Sequence, residues 1–515
     1  MKLRAAALLI GPLLCSLTGF AQGDALQRGL ELFQQQKYEA ALEQFQEARR
    51  FRPADAQLEN FIGITETRLG QMDAADHDYQ SAIRLDPKLA DAHKNLGYNY
   101  IGQAKYDLAE KELKTALALD GAEPFVHYYL VILYLTTSRD RDVVVHLKPA
   151  EPALVNDPNS TVLAIKASLK ENDPAEALRL TQILEKNSRL SAEQEFAIAQ
   201  LLGERQMYAE SAERLRRVVE MQPDSWQNQY NLAVALIKAR QSKEALPLLA
   251  RLSAEHATDA NLLAAIASAY ESAEENSLAI ETYRKAIAAD PANPDRYLDG
   301  TRLLIDLDRY DEAAEMVQHG LSLVPDPYPL TIRLGAIAMM RGNRDQARDL
   351  YHRAIDEHPA VALGYVALAQ TYMKEGKDEE ALKILTDGRA AVPRDFALEY
   401  VFGLASSQVG QQQQAVQALK SAEQLSPSVV EPHYQLGLIY MKQQQWKEAQ
   451  GEFEQVLKLD PNNAPTYYQL SRAYQRLGET GKAQEMGKEA SLLTRTQRED
   501  AIKEQELRFG IPSQE

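Results

Sequence analysis

The chain has little of three features that would point to particular chemistries. Its 515 residues include one cysteine, Cys15. Beyond the N-terminus no stretch reaches 18 apolar residues, so the sequence predicts no transmembrane helix there. Positive charge is in deficit, because 57 lysines and arginines stand against 74 aspartates and glutamates, for a formal net charge of −17. An acidic surface repels nucleic-acid phosphates, which argues against a nucleic-acid partner.

The single cysteine lies in a segment that is typical of a secretory signal, residues 1–21. A charged start precedes an apolar run, and the small residues Gly19 and Ala21 stand before a cleavage point at Gln22. We therefore predict a chain that is exported across the inner membrane into the bacterial periplasm or envelope. The mature chain would have no disulfide, no thiolate nucleophile and no cysteine-based metal site. An apolar N-terminus without this role, or a lipid anchor on Cys15, is the weaker alternative.

The sequence has one strong regularity, a period of 34 residues. An alanine series has fourteen members at this interval without an insertion, with only Val143 and Ser211 replacing alanine. A proline series lies twelve positions later. A fixed period between 20 and 50 residues indicates a stacked repeat architecture. The first series is Ala41, Ala75, Ala109, Val143, Ala177, Ser211, Ala245, Ala279, Ala313, Ala347, Ala381, Ala415, Ala449 and Ala483, and the second is Pro53, Pro87, Pro223, Pro291, Pro325, Pro359, Pro393, Pro427 and Pro461.

The block that begins at Val430 shows what one period encodes. Apolar residues recur at helical spacing in its first half and again, after a short break, in its second half, which predicts two amphipathic helices joined by a turn. Gly437 and Ala449 are predicted where the helices approach closely, because a larger side chain would hold the backbones apart. Asp460 should end the second helix, since a residue before proline avoids the α region.

The small, aromatic and proline positions of this block carry a family resemblance: Leu436, Gly437, Tyr440, Ala449, Phe453 and Pro461. This pattern resembles the tetratricopeptide repeat. The resemblance covers about residues 22–497, in fourteen blocks. It implies an all-α protein of about 28 helices, an α-solenoid in which antiparallel helix pairs stack as a right-handed superhelix. Other blocks match at Gly63, Ala75, Tyr79, Ala82 and Pro87, at Leu96, Gly97, Tyr100, Ala109 and Ala116, at Tyr270, Ala279, Tyr283, Ala286 and Pro291, and at Leu334, Gly335, Ala347, Tyr351, Ala354 and Pro359.

The chain divides on this basis into five parts. After the signal at 1–21 come three regular repeats at 22–123, degenerate repeats at 124–191, the C-terminal repeats at 192–497, and a polar capping helix with a frayed tail at 498–515. In the degenerate part, Pro149 and Pro152 fall inside an expected second helix, where proline costs about 3 kcal/mol of helix propensity. We expect that helix to be kinked or short and the array to bend there, or the repeats to have drifted without a geometric effect.

Sequence motifs for catalysis or cofactor binding are lacking. There is no Gly-x-Ser-x-Gly nucleophile elbow, and most carboxylates fall at repeating positions on polar helix faces. His93, His127 and His433 share one repeat position, which favours packing or a surface role over metal binding. We therefore predict no enzyme activity, no metal and no cofactor.

A partner-binding groove is what the resemblance implies, because arrays of this family coil so that the first helices line a concave surface. The inward positions of the last five blocks are aromatic, methionine-rich and cationic within an acidic chain. Tyrosine and arginine are favoured binding anchors, and methionine adapts its packing to different ligands. Alternatively, several of the tyrosines only pack between helices. The candidate groove residues are Arg333, Met340, Lys374, Tyr400, Tyr434, Met441, Lys442, Tyr468, Arg472 and Arg476.

The expected function is therefore a non-catalytic scaffold or adaptor. Its partner would be a protein or peptide, in extended or helical form, that carries negative charge. The family's clamp for a terminal carboxylate is not matched, because Tyr98 follows Lys94 and Asn95 where a second polar residue is needed. Two rival functions stay open: an enzyme with its site in the groove, and a self-associating structural array.

Overall fold

A computed structural model describes residues 23–187 and 189–509 of the chain, and within them every regular element is an α-helix. The 28 helices follow one another along the chain, which confirms the all-α prediction. Their bounds are α1 Gly23–Gln34, α2 Tyr38–Phe51, α3 Ala56–Arg68, α4 Met72–Leu85, α5 Ala90–Gly102, α6 Tyr106–Leu119, α7 Pro124–Thr136, α8 Asp140–Leu154, α9 Pro158–Lys170, α10 Pro174–Asn187, α11 Ala192–Glu204, α12 Tyr208–Met221, α13 Trp226–Lys238, α14 Ser242–Glu255, α15 Ala260–Ser272, α16 Asn276–Ala289, α17 Pro294–Asp306, α18 Tyr310–Gly320, α19 Tyr328–Met340, α20 Arg344–Glu357, α21 Ala362–Lys374, α22 Asp378–Ala391, α23 Phe396–Gln408, α24 Gln412–Leu425, α25 Val430–Lys442, α26 Trp446–Leu459, α27 Ala464–Leu477 and α28 Thr480–Phe509.

The helices form two compact units, one that ends at Leu252 and one that begins at Ser253. In the first unit α1 packs on α2, and the following helices up to α12 pair in the same way. In the second unit the pairs run from α15 with α16 to α27 with α28. Each unit is thus a solenoid of helical hairpins, as the period predicts. The expected boundaries at residues 124 and 192 stay a prediction.

A left-handed backbone residue ends the first helix of every hairpin. These residues recur every 34 positions, from Gln36 with φ 60° to Gly478 with φ 80°. At the α25–α26 turn, Gln444 has φ 57° and the N–H of Gln445 donates to the carbonyl of Tyr440 at 2.9 Å. This is the hydrogen bond of a Schellman cap, which satisfies a helix-end carbonyl and reverses the chain. Identical caps give every hairpin the same turn.

Small residues let the two helices of a hairpin lie close together. Ala449 on α26 is fully buried, as are most members of its 34-residue series. A Cβ added to Gly437 on α25 would come within 2.8 Å of Cδ1 of Phe453, and one added to Gly97 would lie 3.3 Å from the carbonyl oxygen of Ala109. The close approaches predicted from the sequence are therefore confirmed, and they set the spacing of the hairpin.

Two helix boundaries also follow the sequence. α26 ends at Leu459, directly before Asp460 and the proline that follows it. α10 begins at Pro174, and the Oδ1 of Asp173 accepts a hydrogen bond from the backbone N–H of Glu176 at 3.0 Å. Proline has no N–H to leave unsatisfied at the first position of a helix, and the aspartate caps one of the free donors.

The helix that contains Pro149 and Pro152 was expected to be kinked or short, and the structure shows that it is not short. α8 runs over 15 residues and includes both prolines. A proline inside a helix deprives the carbonyl four residues earlier of its donor. Here those carbonyls belong to Val145 and Lys148, and both residues are exposed, as are the two prolines. Water can take the place of the missing donors, so the helix continues.

The polar C-terminal segment is helical, but it is not a separate element. α28 continues from Thr480 to Phe509 as one helix of 30 residues, so residues 498–509 extend the last second helix. The side-chain amide of Gln497 donates to the carbonyl of Asn462 at 3.1 Å. Residues 510–515, where a frayed tail was expected, lie outside the described residues.

The predicted signal at residues 1–21, with Cys15 and its cleavage point, also lies outside the described residues. Among the helices that the structure does describe, none combines the length and the apolar character that a bilayer crossing requires.

The close approach at Gly437 can be tested by adding one methyl group. Gly437→Ala places a Cβ against the buried ring of Phe453, so we expect a loss of about 1–3 kcal/mol in the free energy of unfolding. Gly451→Ala is the matched control, because this glycine lies within α26 with open space where an added Cβ would lie. That change should stabilise by about 0.5–1 kcal/mol. Chemical denaturation measures both, and equal effects of the two variants would contradict the packing.

Candidate functional site

The first helices form the inner face of each unit. In the second unit α21 contacts α23 and α25 contacts α27, and first helices of neighbouring hairpins meet in the same way in the first unit. Within the described residues, the second helices of neighbouring hairpins make at most marginal contact. Helices that crowd together lie on the inside of a curved stack. Residues that point away from the second helices therefore face inward.

A cavity of about 570 Å³ opens on this inner face near the C-terminus. Its volume is within the range of binding sites for small molecules or side chains. It lies between α25 and α27, and Ser407 of α23 and Trp446 of α26 also line it. The remaining lining residues are Gln435, Leu438, Ile439, Met441, Lys442, Gln444, Gln469, Arg472 and Arg476.

Aromatic rings position the two arginines of this C-terminal pocket. The guanidinium of Arg476 lies over the ring of Trp446, with Cζ 5.6 Å from the ring centroid. Arg472 lies 6.0 Å from the ring centroid of Tyr468, and its Nη1 donates to Oε1 of Gln469 at 3.1 Å. Stacking on a ring fixes the plane of a guanidinium and leaves its N–H donors available.

The cations predicted in the groove have no acidic partner among the described residues. Within the described residues, no carboxylate lies within 4 Å of the five basic groups that the sequence placed in the groove, Arg333, Lys374, Lys442, Arg472 and Arg476. Elsewhere in this acidic chain arginines are usually paired. Arg284, which lines a smaller pocket of about 300 Å³, contacts Glu312 at 2.9 Å, for example. The C-terminal pocket therefore presents positive charge that no neighbouring side chain neutralises.

The structure brings four of the ten predicted groove residues into one pocket: Met441, Lys442, Arg472 and Arg476. Tyr468 borders this group and is 57% exposed. Arg333, Met340 and Lys374 lie on α19 and α21, away from the pocket, where Met340 and Lys374 are exposed.

Two of the predicted tyrosines pack between helices. Tyr400 lies against the buried residues of the C-terminal hairpins, and its ring also stacks on that of Phe396 on the same helix, with centroids 6.0 Å apart. Burial raises the pKa of its hydroxyl. Tyr434 packs on Phe453 at 5.9 Å. Both side chains are half-buried beside the hydrophobic core of the C-terminal hairpins. This is the packing role that was the alternative for these residues.

Trp446 is the functional candidate that sequence reasoning missed. It is the first residue of a second helix, and the inward positions were counted on first helices only. The three-residue turn after α25 returns the chain beside the end of that helix, which brings Trp446 to the rim of the pocket. Its occurrence as one of only two tryptophans was an available signal.

A second kind of polar site lies at the position of the three recurring histidines. Each histidine is almost fully buried, and its Nδ1 contacts the residue 19 positions later on the second helix. His93 meets Glu112 at 2.7 Å, and His433 meets Glu452 at 2.8 Å. His127 meets His146 at 2.9 Å. The histidines therefore link the two helices of one hairpin, in agreement with a packing role.

Acidic residues occupy the same position in the second hairpin. The Nη2 of Arg49 contacts Glu59 at 2.7 Å and Asp78 at 2.6 Å, which neutralises part of their charge. Glu66 lies nearby, and its Oε2 is buried without a hydrogen-bond partner among the described residues. Burial, reinforced by the charge of Asp78, raises the pKa of Glu66 to about 7. Since Glu66 is only 6% exposed, a substrate in solution would not reach it.

The raised pKa of Glu66 predicts a pH-dependent stability. A carboxyl whose pKa is higher in the folded protein than its ordinary value of 4.5 stabilises the fold at pH values below 4.5. This stabilisation is lost as the pH rises through about 7. Glu66→Gln cannot ionise. We expect it to raise the free energy of unfolding by roughly 1–3 kcal/mol at pH 8.5 and to change little at pH 4.5. Denaturant titrations at the two pH values measure the difference.

Glu110→Gln is the control of opposite sign. Hydrogen bonds from Arg139, Lys114 and Tyr134 lower the pKa of Glu110 to about 2, so its charge stabilises the fold at pH 8.5. Removing that charge should destabilise the protein at this pH. If Glu66→Gln also destabilised at pH 8.5, burial of an ionised Glu66 would not be the cost that the geometry implies.

Family models for repeat proteins match several parts of the chain. Models described as tetratricopeptide repeat match residues 26–90, 338–399, 430–463 and 452–485, and one described as TPR repeat matches 403–444. A model of the Psidin N-terminal TPR repeats region matches 201–319. No curated protein matches the chain.

Solved structures resemble the chain at low sequence identity. Yeast Tom70 is 14% identical, with a TM-score of 0.38, and the match covers 91% of this chain and 96% of Tom70. A chain of the APC/C hetero-tetramer Cut9-Hcn1 is 16% identical with a TM-score of 0.34. The match covers 88% of this chain and 96% of that chain. MamA from Desulfovibrio magneticus RS-1 is 18% identical with a TM-score of 0.31, and the match covers 33% of this chain and 96% of MamA.

Proposed function

The chain belongs to the tetratricopeptide repeat family, and from that premise we propose that it is a non-catalytic scaffold whose C-terminal pocket binds an acidic segment of a protein partner. The fold is the scaffold fold of protein-interaction proteins. The single observation that carries the specific proposal is the group of unneutralised cations beside Trp446 on the inner face.

The basic residues of the C-terminal pocket favour an acidic ligand. Arg472 and Arg476 are one helical turn apart on α27, so their guanidinium groups can act on the same ligand. A guanidinium binds a carboxylate through two parallel hydrogen bonds, which are stronger than neutral ones. Lys442 adds a third positive charge from α25. A ligand that brings carboxylates here would neutralise charge that the protein itself leaves unpaired.

The apolar part of the lining supports a peptide over a small anion. Leu438, Ile439 and Met441 lie beside the basic groups, and Trp446 offers a ring face. Methionine adapts its packing to different ligand shapes. A cavity of about 570 Å³ accommodates a few side chains and not a whole helix. An acidic residue followed closely by an apolar or aromatic residue fits this combination.

Charge reversal tests the pocket. In the double variant Arg472→Glu with Arg476→Glu, we expect affinity for a labelled acidic peptide with apolar residues to fall about tenfold or more, because at least 1.4 kcal/mol of attraction is lost. Fluorescence anisotropy with the full chain measures the binding. Raised salt should weaken the wild-type complex, since screening reduces the attraction.

Arg495→Glu with Arg498→Glu is the charge-matched control. Both arginines are exposed on α28, outside the pocket, and their substitution changes the net charge by the same amount. This control should bind the acidic peptide with nearly wild-type affinity. Equal losses in the two double variants would show that net charge, and not the pocket, attracts the peptide.

The proposed location is the periplasm or the cell envelope, on the evidence of the signal-like residues 1–21. We expect the mature chain to begin at Gln22. Intact-mass measurement on the protein from a fractionated bacterial host tests this directly. A cytoplasmic protein that retains residues 1–21 would contradict the proposed location, while leaving the proposed binding function open to its own test.

A further inference from the structure

The polar site around His433 differs from its equivalents in one respect that bears on function. The residue ten positions before the histidine, on the preceding second helix, also faces the site. At His93 this residue is Ile83, and at His127 it is Leu117, both partly buried and apolar. At His433 it is Glu423, whose Oε1 lies 4.0 Å from Nε2 of the histidine. The His433 site therefore has two carboxylates, those of Glu423 and Glu452.

Equivalent sites with two carboxylates contain an arginine. Arg49 contacts Glu59 and Asp78. At the corresponding position in a later hairpin, Arg214 contacts both Glu185 and Glu195. No arginine forms an ion pair with Glu423 or Glu452 within the described part of the chain. Lys420, on the same helix as Glu423, lies over the ring of Tyr440, 6.0 Å from its centroid, and forms no ion pair with either glutamate. The charge of Lys420 acts on both carboxylates, but among the described residues the site lacks the directly contacting arginine that its equivalents contain.

The histidine also differs in its hydrogen bonding. The Nε2 atoms of His93 and His127 each donate to a backbone carbonyl at 3.3 Å. Nε2 of His433 has no hydrogen-bond partner among the described residues, whereas Nδ1 can donate to Glu452 at 2.8 Å. A carboxylate that accepts from one ring nitrogen fixes the tautomer and leaves the other nitrogen with its lone pair. His433 is about 93% buried, and that lone pair faces Glu423.

From these observations we propose that Glu423, His433 and Glu452 bind a divalent transition-metal ion, of which Zn²⁺ is the best match. One ligand atom from each residue can be chosen so that all three lie within 4.8 Å of one another. Zinc takes imidazole nitrogen and carboxylate oxygen at about 2.0–2.2 Å, commonly from three protein ligands with a water as the fourth. Binding the ion at Nε2 requires Glu452 to release Nδ1 and turn toward the ion, while Glu423, whose side chain is 34% exposed, approaches from the solvent side.

The three ligands come from three successive helices, α24, α25 and α26. Glu423 belongs to one hairpin, and His433 and Glu452 belong to the next. A bound ion would therefore fasten two neighbouring hairpins together and hold α25 beside the C-terminal pocket, because Gln435 and Met441 on this helix line it. The proposed metal site is independent of the proposed peptide binding, and neither requires the other.

Titration of the full chain with Zn²⁺, after removal of metals with a chelator, tests the proposal. Isothermal titration calorimetry should show one tight equivalent per chain, and the same ion should raise the melting temperature, because a ligand that binds only the folded state stabilises it. Glu423→Ile recreates the residue set found at His93 and keeps the contact between His433 and Glu452. This variant should lose at least tenfold in affinity and most of the zinc-dependent rise in melting temperature.

His433→Gln is the second variant and should abolish the stoichiometric binding, with circular dichroism to verify that it folds. Ile83→Glu is not expected to create a comparable site, because Nε2 of His93 is already engaged with a carbonyl. Absence of a stoichiometric equivalent in the wild type would overturn the proposal. So would binding that Glu423→Ile leaves unchanged, since that zinc would be held by other carboxylates of this acidic chain.

Discussion

The structure depends on one packing constraint, the close approach of the two helices within each hairpin. Ala449 and most of its equivalents are fully buried alanines, and glycines such as Gly437 lie against buried rings on the opposite helix. Protein interiors are packed as densely as organic crystals, so one additional methyl group at such a point destabilises the fold. The constraint keeps the hairpin length constant, and constant hairpins stack without a break in register.

The hairpins differ from one another at positions that packing does not determine. Between hairpins, polar residues form small charge-balanced groups, such as Arg49 with Glu59 and Asp78. On the inner face of the C-terminal hairpins the balance is not kept, because Arg472, Arg476 and Lys442 have no acidic neighbour among the described residues. Unpaired charge on a surface is readily neutralised by a ligand, whereas paired charge must first be separated. The repeat thus supplies a rigid frame, and the exceptions to charge balance mark where the frame can bind something.

Much of the fold could be predicted from the sequence, because its causes are local. The period, the close approach at Gly437 and the helix end before Pro461 each follow from residue size or backbone restriction. The left-handed turn could not be predicted, since nine of its fourteen positions carry residues other than glycine, and only the Schellman hydrogen bond explains them. The uninterrupted α8 was missed because exposure of Val145 and Lys148 is a property of the packed array. Contacts across 19 residues, such as His433 with Glu452, likewise become visible only when the hairpin is built.

The central claim is that the C-terminal pocket receives an acidic segment of a partner. Site-specific photo-crosslinking in the native host tests it most directly, with the reactive residue placed at Gln469 inside the pocket or at Lys447 on the exposed side of α26. The account predicts that Gln469, and not Lys447, becomes linked to one partner, and that mass spectrometry maps the link to a segment rich in aspartate or glutamate. Equal crosslinking from both positions, or attachment to a segment without acidic residues, would contradict it.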